Sequence, residues 1–306
     1  MWLLYALATF FAWGIADLFY KRGNGIEEKY THLKTAAAVG LVMGCSAGIT
    51  LLRGNIGYDA RNLLIYLPVS SMYILSMAVG YFGLRYLELS VSSPVQNASG
   101  AVTCLLLMLF LHEVPDAPSL AAVFLITVGV VLLGYFEKGG EELPGETGEQ
   151  KYRRGFKAVS IPVLYCVIDS LGTFFDGWYL DDIATTPLLG VTEDTFEDVA
   201  NVSYEITFFL AALIILFYLY VLKKEKLSLP AEKSRFAAAL FETAGQLSYV
   251  YALSGNAVVA APLIASYCVC SAVLARIVLK EKLNRKQYAA VLAVILGILL
   301  IAVDEG

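Results

Sequence analysis

Two acids stand where acids are seldom found. Asp169 and Glu242 each fall near the middle of a long apolar run. A charged side chain at the centre of a bilayer costs roughly 2.5–3.5 kcal/mol even on insertion scales. No Lys or Arg lies at the same depth to neutralise either acid. An acid so placed is expected to hold a proton or a cation. Alternating those two occupants on one carboxylate is sufficient chemistry for a proton-coupled carrier. The competing reading is a structural carboxylic acid bonded to a neighbouring helix.

Helical spacing gathers partners around these acids. Tyr165, Asp169, Thr173 and Asp176 follow the i, i+4, i+8, i+11 stripe of one face. Glu242, Gln246 and Tyr249 share a face of a second helix, and Asn201 and Glu205 a face of a third. Near the amino terminus, Phe10, Trp13 and Asp17 lie at i, i+3, i+7. Aromatic faces beside acids hold organic cations by cation–π attraction and charge together. Interfacial belts are the other common home of Tyr and Trp. That role suits Trp2 and Trp178 better than the deeper Trp13, Tyr73 and Tyr267. Asn97, with Gln96, follows Pro94, and Pro262 repeats the proline later. A proline there frees a backbone carbonyl and permits a bend, or simply suits helix entry. The candidate substrate-lining set is Trp13, Asp17, Tyr73, Asn97, Tyr165, Asp169, Glu205, Glu242, Gln246 and Tyr267. Asp169 and Glu242 are its proton-coupling members.

Other features read as structure. Gly40, Gly44 and Gly48 form a small-residue ridge for close packing. Glu113 and Glu281 sit at loop ends and suit caps or ion pairs. The five cysteines lie in apolar runs, and two histidines cannot build a zinc site. Neither a metal nor a cofactor is expected. No phosphate-binding GxxxxGK[ST] loop or HExxH motif occurs, and neither Asp169 nor Asp176 stands in a GxGD context. The chain is therefore expected not to be an enzyme.

The elements that position these residues follow from composition. The 306 residues are 58 % hydrophobic and 16 % charged, with a mean hydropathy of +0.67. A soluble globule of this size cannot be covered by so little charge. The length suits about ten membrane helices of ~20 residues with short connections. The runs predict helices at 2–21, 31–52, 63–87, 91–111, 117–136, 156–180, 199–222, 232–254, 258–279 and 286–303. Residues 137–154 read as a polar Gly- and Glu-rich linker, and 181–198 as an acidic connection.

The halves repeat. A gapless shift of 168 positions superposes Tyr81 on Tyr249, Val91 on Val259, Pro94 on Pro262, Leu106 on Leu274, Leu111 on Leu279, Glu113 on Glu281, Ala121 on Ala289 and Gly129 on Gly297. Five helices per half is odd, so the second copy enters the membrane from the opposite side. The expected fold is an all-α membrane protein of ten transmembrane helices in two inverted five-helix repeats, 1–136 and 155–306. The internal two-fold argues for alternating access over a channel.

A Glu-bearing loop followed by an apolar helix with a central Gly-Val/Ile-Leu-Leu patch, repeated, resembles the drug/metabolite transporter superfamily in its EamA-like branch. The opening FFAWGIADLFYK is also similar to that family's first helix. The resemblance implies a 5+5 fold, secondary transport of small metabolites and cytoplasmic termini. Charge points the other way on the termini. Twenty of the 22 basic residues fall on the side of the 1–2, 3–4, 5–6, 7–8 and 9–10 connections, and only Arg53 and Arg61 on the other. The positive-inside rule makes the first side cytoplasmic. Both termini and the acidic 181–198 segment then face outward.

The favoured function is proton-coupled antiport of an organic cation or amine. The partners implied are that small molecule, protons and the lipid bilayer of a bacterial-type plasma membrane. The protein is expected as a monomer or homodimer. The net charge of −5 offers no field for nucleic acid. The alternatives are an exporter of amino acids or other zwitterionic or neutral metabolites, and a non-transporting receptor or assembly factor.

Overall fold

A computed structural model describes residues 1–23, 30–54, 56–84, 93, 95–112, 114–136, 148–225, 232–280 and 284–304. Every regular element among them is helical. In chain order they are α1 (Trp2–Gly23), α2 (Thr31–Leu52), α3 (Leu67–Gly83), α4 (Ser99–Phe110), α5 (Ala117–Tyr135), α6 (Gly148–Leu180), α7 (Phe196–Phe217), α8 (Lys233–Ala265), α9 (Tyr267–Leu274) and α10 (Arg285–Asp304). A single turn, Asn62–Ile65, leads into α3. Wider π-helical turns extend α7 through Tyr218–Leu222 and α9 through Ala275–Leu279.

The long α8 is two passes. Asn256 has φ −171° and ψ 79°, outside the helical region, and breaks it. Before the break, Arg235 donates to the Gly23 carbonyl at 2.9 Å. Further along this limb, Gly245 packs on Trp13 and Gly255 on Trp2. This limb thus runs antiparallel to α1. Beyond it, Cys270 packs on Gly14 and Ser271 bonds to Asp17, so the chain has turned and runs parallel to α1. With that reversal the described helices make ten passes. The stretches Trp2–Gly23, Thr31–Leu52, Phe196–Leu222 and Lys233–Leu279 are each long and apolar enough to cross a membrane. Leu67–Gly83, Val95–Phe110 and Ala117–Leu132 are shorter apolar helices.

Boundaries differ from expectation in two places, and a third agrees. The helix expected at 156 begins at Gly148, inside the segment read as linker. Glu149, Gln150, Lys151 and Arg153 are good helix formers and extend it. The helix expected from 63 is split, because Pro68 opens a fresh helix after the Asn62–Ile65 turn. The break before the ninth pass falls at Asn256, in the gap between the helices expected at 232–254 and 258–279. Pro94, Glu113, Glu281 and residues 137–147 lie outside the described residues.

Small residues bring the helices together. Gly40 of α2 meets the Phe208 carbonyl and Ala212 of α7. On α5, Gly129 packs against the Ala290 carbonyl and Val294 of α10, while Gly297 packs against the Ala122 carbonyl and Ile126. Each of these α5 and α10 residues maps onto its counterpart under the 168-position shift, so the contact is reciprocal. Large apolar side chains such as Phe11, Phe124, Ile214 and Phe217 point outward, while many polar groups are inside. That polarity suits a chain solvated by lipid. The acidic connection is folded: Asn62 both donates to the Leu189 carbonyl (2.9 Å) and accepts from its N–H (2.8 Å), and Leu188 is buried.

Candidate functional site

A partly open cavity lies at the centre of the bundle. Helix α1 contributes Trp13, Asp17 and Tyr20, and α3 contributes Tyr73, Met77, Gly80 and Tyr81. Asn97, Ser99 and Gly100 face it from the fourth pass, and Tyr165, Asp169 and Thr173 from α6. Tyr204 of α7, Glu242, Tyr249 and Ala261 of α8, and Tyr267 of α9 complete most of the wall. A helix exposes one stripe to the bundle centre, and the polar stripes of α1, α6 and α8 converge there.

Three carboxyl groups line this space. The Asp17 Oδ2 accepts from Ser93 (2.8 Å) and Ser271 (2.7 Å). The Asp169 carboxyl accepts from Ser99 on Oδ2 (2.8 Å) and Ser76 on Oδ1 (3.3 Å). Tyr20 donates its hydroxyl to Glu242 Oε2 at 3.2 Å. Both aspartates are part-exposed on the cavity wall, whereas Glu242 is 7 % exposed. Among the described residues, none of the three forms an ion pair, and no Lys, Arg or His lines the cavity.

Aromatic rings make up much of the remaining wall. Trp13 lies 5.0 Å from Tyr249 and 5.7 Å from Tyr267 by ring centroids, and Tyr20 lies 4.7 Å from Tyr81. Trp13 also donates its indole N–H to the Glu242 carbonyl at 3.2 Å. At one end the cavity stops against linked hydroxyls. Tyr73 donates to Thr173 at 2.9 Å and is bonded to the Tyr249 hydroxyl at 2.5 Å. Beyond them Tyr66 donates to Asp176, which is fully buried. At the other end the cavity reaches Leu84, whose carbonyl accepts from Lys21 at 3.1 Å.

The stripe Tyr165–Asp169–Thr173–Asp176 faces α3 and the residue before it, its last three members meeting Ser76, Tyr73 and Tyr66 in turn. Eight of the ten candidates line the cavity: Trp13, Asp17, Tyr73, Asn97, Tyr165, Asp169, Glu242 and Tyr267. Glu205 and Gln246 do not. Glu205 is fully buried between α7 and α2 beside Ser46, and neither of its carboxyl oxygens has a hydrogen bond. Gln246 is 1 % exposed, one turn beyond Glu242 on α8. Helical spacing places side chains on a face but cannot say which neighbour that face meets. Sequence reasoning did not single out Tyr20, Tyr81 or Tyr204 as wall residues, nor the serines on the two aspartates. Tyr81 and Tyr249 did carry a signal, since they coincide under the 168-position shift. The serines carried none.

No metal-binding group of three or more His, Cys, Asp or Glu occurs among the described residues. Cys104, Cys166, Cys268 and Cys270 are free thiols inside or partly inside the bundle, and Cys45 is an exposed one.

A solved protein crystal structure matches with a TM-score of 0.63, covering 99 % of this chain and 96 % of its own, at 14 % identity. At that identity the likeness is one of fold. No curated protein matches. The model of the EamA-like transporter family matches residues 1–135 and 199–303. Asp169 and the acidic connection thus lie outside the matched residues, while Asp17, Glu242 and the reciprocal α5–α10 contact lie inside. The match covers well over half of the chain, which belongs to the EamA-like transporter family and is an integral, multi-pass membrane protein of the drug/metabolite transporter type.

Proposed function

We propose that this protein is a secondary active transporter that exchanges an organic cation or amine for protons. The observation that carries the reading is the composition of the cavity: three carboxyl groups, a wall of aromatic rings and no basic side chain among its described lining residues. A cation gains both charge and π-face attraction there. A zwitterion or an anion finds no cationic partner for its own carboxylate among the described lining residues. Proton and substrate compete for the same acids, which couples their movements. Cofactor chemistry and catalysis have no part in this reading.

The two halves act as inverted five-helix repeats, 1–136 and 155–306, rocking about the cavity. Support comes from the contact between α5 and α10, which is its own image under the 168-position shift, and from Tyr81 and Tyr249, which the same shift pairs on the cavity wall. The tyrosine cluster at Tyr66, Tyr73 and Tyr249 closes one end in this conformation.

The closed end lies toward the acidic connection, which we place outside the cell. Of the two basic residues on that side, Arg61 is held by Asp59 at 2.6 Å, and its hydrogen bonds lower the Asp59 carboxyl to about 2. That leaves Glu193, Asp194 and their neighbours to attract cations. A reporter fused after Asp304 is expected to read outside. A cytoplasmic reading from the fused chain, with ten passes intact, would show that the basic bias does not set the orientation.

The transport reading is tested in proteoliposomes with an imposed pH gradient. Organic amines should be driven against the proton gradient, and neutral analogues of the same size should not. If a sugar phosphate or other anion proves the best-driven substrate, the electrostatic argument is wrong. Tight ligand binding with no flux would instead mark a receptor.

A further inference from the structure

Asp17 and Asp169 are held alike. Each carries an aromatic residue four positions earlier on the same helix face, Trp13 and Tyr165. The same offset of 152 positions relates Trp13 to Tyr165 and Asp17 to Asp169. Each carboxyl accepts two serine hydroxyls from neighbouring passes, Ser93 and Ser271 on one, Ser76 and Ser99 on the other. Each is part-exposed to the same cavity. Glu242 differs: it is buried, and the Tyr20 hydroxyl is bonded to it.

We propose that the cavity takes a linear dication, an aliphatic diamine, with one ammonium at Asp17 and the other at Asp169. The inference rests on the organic-cation reading of the same cavity and narrows it. Two similar half-sites in one cavity fit a ligand with two similar ends. A monoamine would satisfy one carboxylate and leave the other without a counter-ion in a poorly hydrated cavity. A diamine compensates both. Its methylene chain then lies against the rings between the poles. Tyr81 also lines the cavity, is 4 % exposed, and its hydroxyl neighbours that of Tyr20. An ammonium N–H can donate to the Tyr81 oxygen. A bare divalent metal is less suited, because the described residues hold no cluster of three or more His, Cys, Asp or Glu to ligate one, and the rest of the wall is largely aromatic.

The test uses the purified full chain in detergent or nanodiscs. Binding is measured for straight-chain diamines with three to eight methylenes, for monoamines of matching length, and for magnesium and calcium ions. One diamine length is expected to bind about tenfold or more tighter than its monoamine, the scale of one charged hydrogen-bonded contact. Asp17→Asn and Asp169→Asn should each reduce that diamine to the affinity of the monoamine, with a smaller change for the monoamine itself. Monoamines that equal diamines at every length would overturn the dication and leave the cation reading standing. No binding of any amine would overturn both. Metal ions that bind tighter than every diamine and displace it would also overturn the proposal. The wild-type length series alone decides it if a variant fails to fold.

Discussion

Asp169→Asn and Glu242→Gln are expected to abolish pH-driven flux in proteoliposomes, with both proteins still folded and inserted. Each substitution keeps the shape of the side chain and one accepting oxygen. The new amide at position 169 keeps an acceptor for Ser99 or Ser76 and can donate in place of the other contact. The amide at position 242 keeps an acceptor for Tyr20. What is lost is the charge that holds a cation and the site that carries a proton back. A hydrogen bond to a charged group contributes about 1.5–3 kcal/mol, so cation binding should fall roughly tenfold to a hundredfold. Coupling should be lost outright, since a neutral amide does not titrate. Glu205→Gln is the informative control. That acid is buried outside the cavity, and its replacement should leave flux and its pH dependence unchanged. Wild-type pH-driven flux in Asp169→Asn, Glu242→Gln and the double variant would reduce these acids to structural groups.

How much of this was legible in the sequence depends on what each feature rests upon. The helices were legible because burial in lipid demands long apolar runs, and the structure moves their ends by only a few residues in most cases. The break at Asn256 was legible too, as the gap between the runs 232–254 and 258–279. The turn needs one residue outside the helical region, and an asparagine supplies it. The converging acids were legible through their unfavourable placement. Their serine partners were not, because Ser76, Ser93, Ser99 and Ser271 are ordinary small residues until the passes that carry them meet. Glu205 shows the limit from the other side. It shares the chemistry and spacing of a site residue, yet α7 turns that face to α2 and not to the cavity. Gly40, Gly44 and Gly48 look equivalent as a ridge, and the structure separates them.

That separation predicts a graded series in which Gly40→Ala has a large effect and Gly48→Ala almost none. A Cβ at Gly40 would fall 2.3 Å from the Phe208 carbonyl oxygen and 2.6 Å from the Ala212 Cβ. The first of these is backbone, so α2 and α7 must move apart. At Gly44 the nearest atoms are the Phe209 Cδ2, Cγ and Cβ at 2.3, 2.6 and 2.9 Å, a side chain whose ring can move to another rotamer while its Cβ cannot. At Gly48 nothing lies within 4 Å. Overpacking typically costs about 1–3 kcal/mol and occasionally more. Alanine recovers part of that, because glycine in a helix interior is about 1 kcal/mol worse. Gly48→Ala should therefore be neutral or slightly stabilising, Gly44→Ala mildly destabilising, and Gly40→Ala the most destabilising. Gly40→Leu should prevent recovery of folded protein. The effect of Gly40→Ala should reach the cavity as well. Phe208 stacks on Tyr204 at 4.5 Å between ring centroids, and Tyr204 lies 5.5 Å from Tyr73 on the cavity wall. Displacing α7 at Phe208 shifts that wall, so ligand affinity should fall together with thermal stability. Both are read by thermal unfolding of the detergent-solubilised variants, with and without the best-binding amine. Equal melting temperatures for Gly40→Ala and Gly48→Ala would mean that α2 and α7 do not pack at this distance.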